Sequence, residues 1–298
     1  MRIICGIVLY NPNTDRLANE LNSIIEQVDK ICLFDNGSEN IDKVEQYILQ
    51  DIPNEKIKLL KSNINLGIGA ALNKIFEYAN NNNYEYVLTL DHDSICPNDM
   101  IKKYVNYLKI PNVGMLCPNI IDKNMATYFY LKGSTDEGYE FINRTIQSGA
   151  LVNVESWSNV GGFDEAMFID FVDFDFCKRL TNYDYRILKV NSIVLDHELG
   201  KKEKTIYADF FNKVYEKTGK RLFLYFTYKN VFSNDRCYYS SRNNIIYIKR
   251  YKNSIKLKKE IMDYWNRIFR KILRSKHRGR VFFYSIKGFV DGIKFKEY

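Results

Sequence analysis

Residues 84–94 read YEYVLTLDHDS, an apolar run from Tyr84 to Leu90 that ends abruptly on Asp91-His92-Asp93. Seven residues rich in Tyr, Val and Leu fit a buried strand, and the two carboxylates then lie at its C-terminal end. Side chains alternate across a strand, so Asp91 and Asp93 share one side while His92 takes the other. The same grammar recurs toward the N-terminus. Ile3–Tyr10 is strand-like and stops at Asn11-Pro12, and Leu17, Leu21, Ile24, Ile25 and Val28 keep helical spacing. Lys30–Phe34 forms the next strand and stops at Asp35-Asn36-Gly37-Ser38. A helix around 41–49, a strand around 56–61, the turn Asn65-Leu66-Gly67 and an Ala-rich helix over 70–79 follow. Short strands alternating with helical patterns predict an α/β fold of βαβ units, with a mixed, mostly parallel sheet flanked by helices. Ligands of such sheets bind outside the carboxyl ends of the strands. That edge would gather Tyr10-Asn11, Asp35–Ser38, Asn65–Gly67 and Asp91–Asp93.

Beyond Asp93 the alternation loosens. Strands are expected over 113–118, 149–154 and 186–195, the last leading to Asp196-His197, and a helix over 172–180. From about Tyr207 the pattern is helical and aromatic, which divides the chain into a catalytic α/β domain over 1–206 and a helical, basic region over 207–298. Charge follows the same division. The 298 residues carry 44 Lys/Arg and 36 Asp/Glu, a net +8, yet residues 245–298 hold 16 basic and 4 acidic side chains, or +12. The remainder has 28 basic against 32 acidic, or −4. Ile261, Trp265, Ile268, Phe269, Ile272 and Leu273 repeat at helical spacing among Lys258, Lys259, Arg267, Arg270, Lys271 and Arg274. A basic amphipathic helix of this kind suits an anionic membrane surface or a solvated face packed on its own domain. No helix-turn-helix, zinc finger or RNP pattern accompanies the charge, so nucleic acid is not an expected partner.

With 46% hydrophobic and 27% charged residues the chain is neither disordered, collagenous nor a coiled coil. Six widely spaced cysteines without a CxxC pair indicate buried thiols in a reducing compartment rather than a zinc ribbon or disulfide framework. The first apolar stretch is too short for a signal peptide, and no window approaches 18 apolar residues. The expected location is therefore cytoplasmic, with room for peripheral contact at the inner face of the cell membrane.

Paired carboxylates at a strand end suit a hard divalent ion, Mn2+ or Mg2+, held together with substrate phosphates; a plain polar strand end is the other reading of Asp-x-Asp alone. Asp173 stands among Phe168, Phe171, Phe174 and Phe176, where desolvation would raise its pKa and suit it as a general base. Asp164, Glu165, Asp170 and Asp175 read as the acidic start of a helix, with Asp170 and Asp175 next in line as the base. Gly161-Gly162-Phe163 reads as a tight turn that either admits a sugar close to the backbone or merely reverses the chain. Tyr238, Tyr239, Arg242 and Asn243 form a polar aromatic cluster suited to a saccharide, to a lipid diphosphate, or to packing of the C-terminal region. A dinucleotide-dependent oxidoreductase could use such a sheet, but Tyr10-Asn11-Pro12 follows the first strand where GxGxxG is required. A non-catalytic nucleotide- or nucleic-acid-binding protein would leave Asp91, Asp93 and Asp173 idle.

The motifs IICGIVLYNP (3–12), FDNGS (34–38), NINLGIGAALN (63–73), TLDHDS (89–94), SGALV (148–152), GGFDEAMFIDFVDFDFCKRL (161–180) and DH (196–197) stand in this order. Over about residues 3–200 the chain resembles the inverting family 2 glycosyltransferases with the GT-A fold. The resemblance implies nucleotide contacts at Tyr10, Asn11, Asp35 and Asn65; Asn36, Gly67, Asn73, Ser148, Gly149, Gly162 and Phe163 in the same motifs, and Arg242 from the polar aromatic cluster beyond them, complete the expected substrate-binding set. It implies a metal and diphosphate site at Asp91 and Asp93, His197 as a further metal ligand or diphosphate donor, and Asp173 as the catalytic base. Where the family has Glu-Asp-x-Asp, this chain has Val172-Asp173-Phe174-Asp175 and lacks the first acid. The Val-Asp variant, LDHELG (195–200) and KGFVDGIKFK (287–296) are similar to the rhamnosyltransferase subset. The activity implied is metal-dependent inverting transfer of a sugar, from dTDP-rhamnose or a UDP-sugar, onto a lipid-linked glycan acceptor in bacterial surface polysaccharide (capsule or cell-wall) synthesis. A homodimer is compatible with this reading.

Overall fold

A computed structural model describes residues 1–92, 94–121, 138–196, 202–205, 207–230 and 232–296. The chain divides into two compact units, Met1–Phe168 with Val172–Glu198, and Ile169–Phe171 with Leu199–Tyr298. This division lies eight residues before the expected boundary at 206/207. It also assigns to the second unit the tripeptide Ile169–Phe171, which carries no boundary signal of its own.

The first unit is built on eight strands: β1 (Ile3–Leu9), β2 (Lys30–Asn36), β3 (Ile57–Ser62), β4 (Tyr86–Asp91), β5 (Val113–Ile121), β6 (Tyr139–Ile142), β7 (Ala150–Asn153) and β8 (Arg186–Asp196). Their order is β3-β2-β1-β4-β7-β5-β8-β6. The pairs β1–β2, β1–β4, β2–β3 and β5–β8 are parallel. Strand β7 runs antiparallel to β4 and β5, and β6 antiparallel to β8. All seven residues of β1 are buried, because an inner parallel strand is covered on both faces; this is why it reads as a continuous apolar run. Helices α1 (Thr14–Ile24), α2 (Ile41–Asp51), α3 (Ile68–Asn81), α4 (Met100–Val105), α5 (Val154–Asn159) and α6 (Val172–Asn182) flank the sheet. Helix α3 lies so close to β1 that a Cβ on Gly6 would fall 2.6 Å from Ile75 Cγ2. The short elements α4, α5 and β6, four to six residues each, were not foreseen; fewer than two turns or three alternations leave no readable period.

The second unit contains a two-stranded antiparallel sheet, β9 (Lys202–Lys204) and β10 (Tyr228–Asn230), that the helical pattern did not suggest. Its helices are α7 (Ala208–Thr218), α8 (Asn234–Tyr251), α9 (Leu257–Arg274) and α10 (Arg278–Lys294). Gly288 and Gly292 let α10 approach α8: a Cβ on Gly292 would stand 2.7 Å from the Arg242 carbonyl oxygen. Lys249 Nζ closes the end of α10 by donating to the carbonyls of Gly292, Ile293 and Phe295 at 3.3, 2.6 and 2.9 Å. The KGFVDGIKFK motif therefore packs helix on helix. Helix α9 buries Glu260, Tyr264 and Ile268 and leaves Leu257, Ile261, Trp265, Phe269 and Leu273, every fourth residue, exposed. Among the described residues no helix is long and apolar enough to cross a membrane. All six cysteines are free and buried, and burial pushes the Cys32, Cys96 and Cys117 thiols up to about 12, as expected of thiols that pack as small hydrophobes.

Candidate active site

The parallel register sets the polar ends of four strands beside one another. Asp35 lies opposite Leu9 and Asp91 opposite Val8, so the two carboxylates flank the end of β1. Neighbouring strands are about 4.8 Å apart, which puts these two positions roughly 10 Å from each other across β1. Asp35 is 2% exposed, and both of its oxygens accept from the Ser38 amide, at 3.2 and 3.3 Å. Ser38 Oγ in turn accepts from the Asn11 amide at 2.9 Å, and Asn11 Oδ1 accepts from the Glu39 amide at 2.8 Å. Asn11 adopts a left-handed φ of 49°, a conformation that Asn tolerates best among non-glycine residues. Tyr10, just before it, is exposed.

Asn36 carries this network to the third loop. Its Nδ2 donates to Asn65 Oδ1 at 3.1 Å and its Oδ1 accepts from the Leu66 amide at 2.8 Å. Asn65 Oδ1 also accepts from the Gly67 amide at 2.9 Å. Gly67 has φ 84°, and a Cβ there would stand 2.7 Å from the Phe168 carbonyl oxygen. That oxygen accepts from the Ile68 amide at 2.6 Å, so the third loop is bound directly to the segment that leads to α6. The β4 end is held from the other side. The Asp91 amide donates to Ser148 Oγ at 3.3 Å, Ser148 and Ser94 hydroxyls lie 2.8 Å apart, and the Gly149 amide donates to the Thr89 carbonyl at 2.8 Å. Gly149 has φ 79°, and any Cβ would meet Pro118 and Leu195 below 3 Å.

Asn73 and Phe163 belong to the packing between α3 and the turn at 161–163. Asn73 Oδ1 accepts from Trp157 Nε1 and the Phe163 amide, at 3.1 and 2.8 Å, while Nδ2 donates to the Phe163 carbonyl and Glu165 Oε1, at 3.0 and 2.8 Å. Two acceptors and two donors use the whole capacity of a carboxamide, so nothing remains for a ligand. Phe163 is enclosed between Phe76 and Phe176, with ring centroids 5.4 and 4.3 Å away. Gly161 and Gly162 both have positive φ, and a Cβ on Gly162 would lie 2.8 Å from Asn73 Oδ1. Gly162 thus packs on Asn73, while the position of a Cβ on Gly161 is open. Asp175 is fully buried and pairs with Arg179 Nε at 2.8 Å, and Arg179 also donates to the carbonyls of Val160 and Gly162. Arg179 gave no signal in sequence beyond its i,i+4 spacing from an acid.

Asp173 stands in the first turn of α6, half-buried, with Oδ1 accepting from the Phe174 amide at 2.9 Å. The four phenylalanines expected around it are engaged separately. Phe168 packs on Gly67, Phe171 on Tyr247, Phe174 under the Arg144 guanidinium, and Phe176 in the core. Ahead of α6, Phe168, Asp170 and Phe171 take φ values of 49°, 62° and 68°, each costing on the order of 1 kcal/mol or more. Arg242 lies on α8 in the second unit, near the rings of Tyr239 and Phe295. Asp93 and His197 lie outside the described residues. Among the described residues no group of three His, Cys, Asp or Glu side chains forms a metal cluster; Asp91, a half-buried carboxylate at a strand end, offers the oxygen chemistry that Mn2+ and Mg2+ take.

The sequence model of "Glycosyl transferase family 2" matches residues 5–171. The dTDP-rhamnosyl transferase RfbF of Shigella flexneri is 30% identical over 216 residues, 68% of this chain and 71% of its own length. Among solved structures, the mannosyltransferase PcManGT from Pyrobaculum calidifontis, in complex with GDP-Man and Mn2+, superposes with a TM-score of 0.57 at 16% identity, covering 99% of this chain and 88% of its own. GalNAc-T7 with UDP, GalNAc and Mn2+ gives a TM-score of 0.55 at 14% identity, covering 89% of this chain. This chain spans 54% of the length of that neighbour. At such identities the two structures speak for the fold.

Proposed function

Because this chain belongs to glycosyl transferase family 2, we propose that it transfers rhamnose from dTDP-rhamnose, or failing that a sugar from a UDP-sugar, onto a glycan acceptor with inversion at the anomeric carbon. The observation that carries the choice of donor is the 30% identity to a dTDP-rhamnosyl transferase over 216 residues. In this reading Tyr10, Asn11, Asp35, Asn36 and Asn65 receive the nucleotide, and Ser148 and Gly149 border the sugar. Asp91 and Asp93, with His197, hold the divalent ion. When bound, Mn2+ or Mg2+ supplies Lewis-acid neutralisation of the diphosphate. The acceptor hydroxyl oxygen forms the new bond to the anomeric carbon as the bond to the diphosphate oxygen breaks on the opposite face. Asp173 takes the hydroxyl proton.

Titration with dTDP, UDP, GDP and NAD, each with and without Mn2+, followed by donor-hydrolysis assays, tests this. Metal-dependent dTDP binding is expected, with UDP weaker; binding of NAD alone would overturn the reading.

The acceptor we assign is lipid-linked, reached by peripheral binding of α9 to the inner face of the cell membrane in surface polysaccharide synthesis. Trp265 and Phe269, 47% and 61% exposed, head an apolar stripe bordered by the exposed Lys258, Lys259 and Arg270. The +12 of residues 245–298 favours anionic lipid, and it opposes pairing of two copies through this face by like-charge repulsion. Co-sedimentation with vesicles containing phosphatidylglycerol should fall sharply in Trp265→Glu. Retention of vesicle binding by that variant, or concentration-dependent dimerisation that it abolishes, would overturn the assignment.

A further inference from the structure

Asn243 occupies the middle of α8 and is fully buried. A buried carboxamide inside a helix has to find partners beyond that helix. Its Nδ2 donates to the carbonyls of Ile169 and Asp170, at 2.8 and 3.0 Å, while Oδ1 accepts from the Arg242 guanidinium at 3.3 Å. The same tripeptide is gripped twice more. Arg236 pairs with the Asp170 carboxylate at 3.3 Å. The Phe171 ring stacks near Tyr247, its centroid 5.7 Å away, with the Arg267 guanidinium 5.1 Å above it. Lys271 is buried close by, its ammonium bonded to Ser240 and attracted by Asp170. All of these groups belong to the second unit, yet two peptide bonds beyond Phe171 the chain reaches Asp173.

Asp170 and Phe171 are consecutive non-glycine residues with left-handed φ. Such a backbone persists only where its surroundings hold it, and the Asn243 amide holds the two carbonyls that define it. We propose that Asn243 is a positioning residue: by fixing Ile169 and Asp170 it sets how the chain enters α6 and so where Asp173 is presented to the acceptor hydroxyl. This rests on the reading of Asp173 as the base. Coupling through two peptide bonds also explains why Asn243, 70 residues away in sequence from Asp173, bears on the reaction.

The test is a double-mutant cycle on sugar transfer. Asn243→Ala should lower kcat at least tenfold while donor KM and nucleotide affinity stay within twofold. In the Asp173→Asn background, where residual transfer is followed in long incubations, the same change should cost less than twofold, because the group it positions is already gone. A kcat within twofold of the unchanged enzyme, or an equal loss in both backgrounds, would overturn the proposal. Should Asn243→Ala fail to fold, Arg236→Gln removes the grip on Asp170 at an exposed position; a roughly threefold kcat loss confined to the Asp173 background is expected, and its persistence in Asp173→Asn overturns the proposal equally. Full transfer by Asp173→Asn alone would instead sink the assignment of the base, and the positioning role with it.

Discussion

The polar edge at the ends of β1, β2 and β3 and the segment that leads into α6, to which the nucleotide and the base are assigned in our proposal, are built by different means. At the ends of β1, β2 and β3, the polar side chains bond within their own loop or the next one: Asp35 accepts from the Ser38 amide, Asn11 from the Glu39 amide, and Asn65 from the Gly67 amide and Asn36 Nδ2. Segment 168–173 adds distant anchors to its local bonds, which run from the Phe168 amide to the Glu165 carbonyl and from the Phe174 amide to Asp173 Oδ1. It runs through three left-handed residues, and its anchors come from far along the chain, Ile68 on one side and Asn243 on the other. Short-range hydrogen bonds fix a rim before any ligand arrives, at little cost in loop entropy. A strained segment held from a distance can present a carboxylate in a geometry that local sequence would not adopt.

That contrast predicts a separation between variants of the two regions. Asp173→Asn should depress transfer by about 10³-fold, within the usual contribution of a positioned base, while calorimetric nucleotide affinity stays within twofold; a parallel loss of affinity would merge the two regions. Asn73→Ala leaves the Trp157 and Phe163 groups unpaired and should cost about 3 kcal/mol in urea unfolding, with nucleotide affinity unchanged in the surviving folded protein. A weakened affinity there would make Asn73 a ligand contact after all. Gly67→Ala sets a Cβ against the Phe168 backbone at positive φ, so a loss of about 2 kcal/mol should appear together with a lower kcat, because the contact joins the rim to the base segment. Asp91→Ala should weaken dTDP roughly tenfold in Mn2+, the 1.4 kcal/mol of one charge-assisted contact, and change little in EDTA. Equal weakening in both would detach Asp91 from the metal.

Much of this was legible because the relevant physics is local. Apolar runs that end on Asp35, Asp91 or Asn11 mark strands and their carboxyl ends, and parallel pairing then makes the ends neighbours whatever the intervening helices. Gly67 and Gly162 were readable as turns for the same reason, whereas Gly149, expected to open a strand, takes a left-handed φ just before β7. Two expectations shifted. Asn73 and Phe163 sit in motif stretches, yet they hold a turn against α3, because a carboxamide with four protein partners and a ring between two others are decided by packing. The four phenylalanines near Asp173 in sequence make four separate contacts in space, since Phe168 and Phe171 precede α6 with left-handed φ while Phe174 and Phe176 lie on it and point to different faces.

Composition, periodicity and strand-end chemistry were enough to specify an α/β sheet, its polar rim with Asp35 and Asp91 at strand ends, and the basic amphipathic C-terminal helix. The fold alone settled that Ile169–Phe171 packs with the carboxy-terminal helices and that Asn243 grips it. The physical reason is range: hydrogen bonds between residues a few positions apart leave a pattern in the chain, whereas a buried amide meeting a carbonyl more than seventy residues away leaves none until the backbone has closed around both.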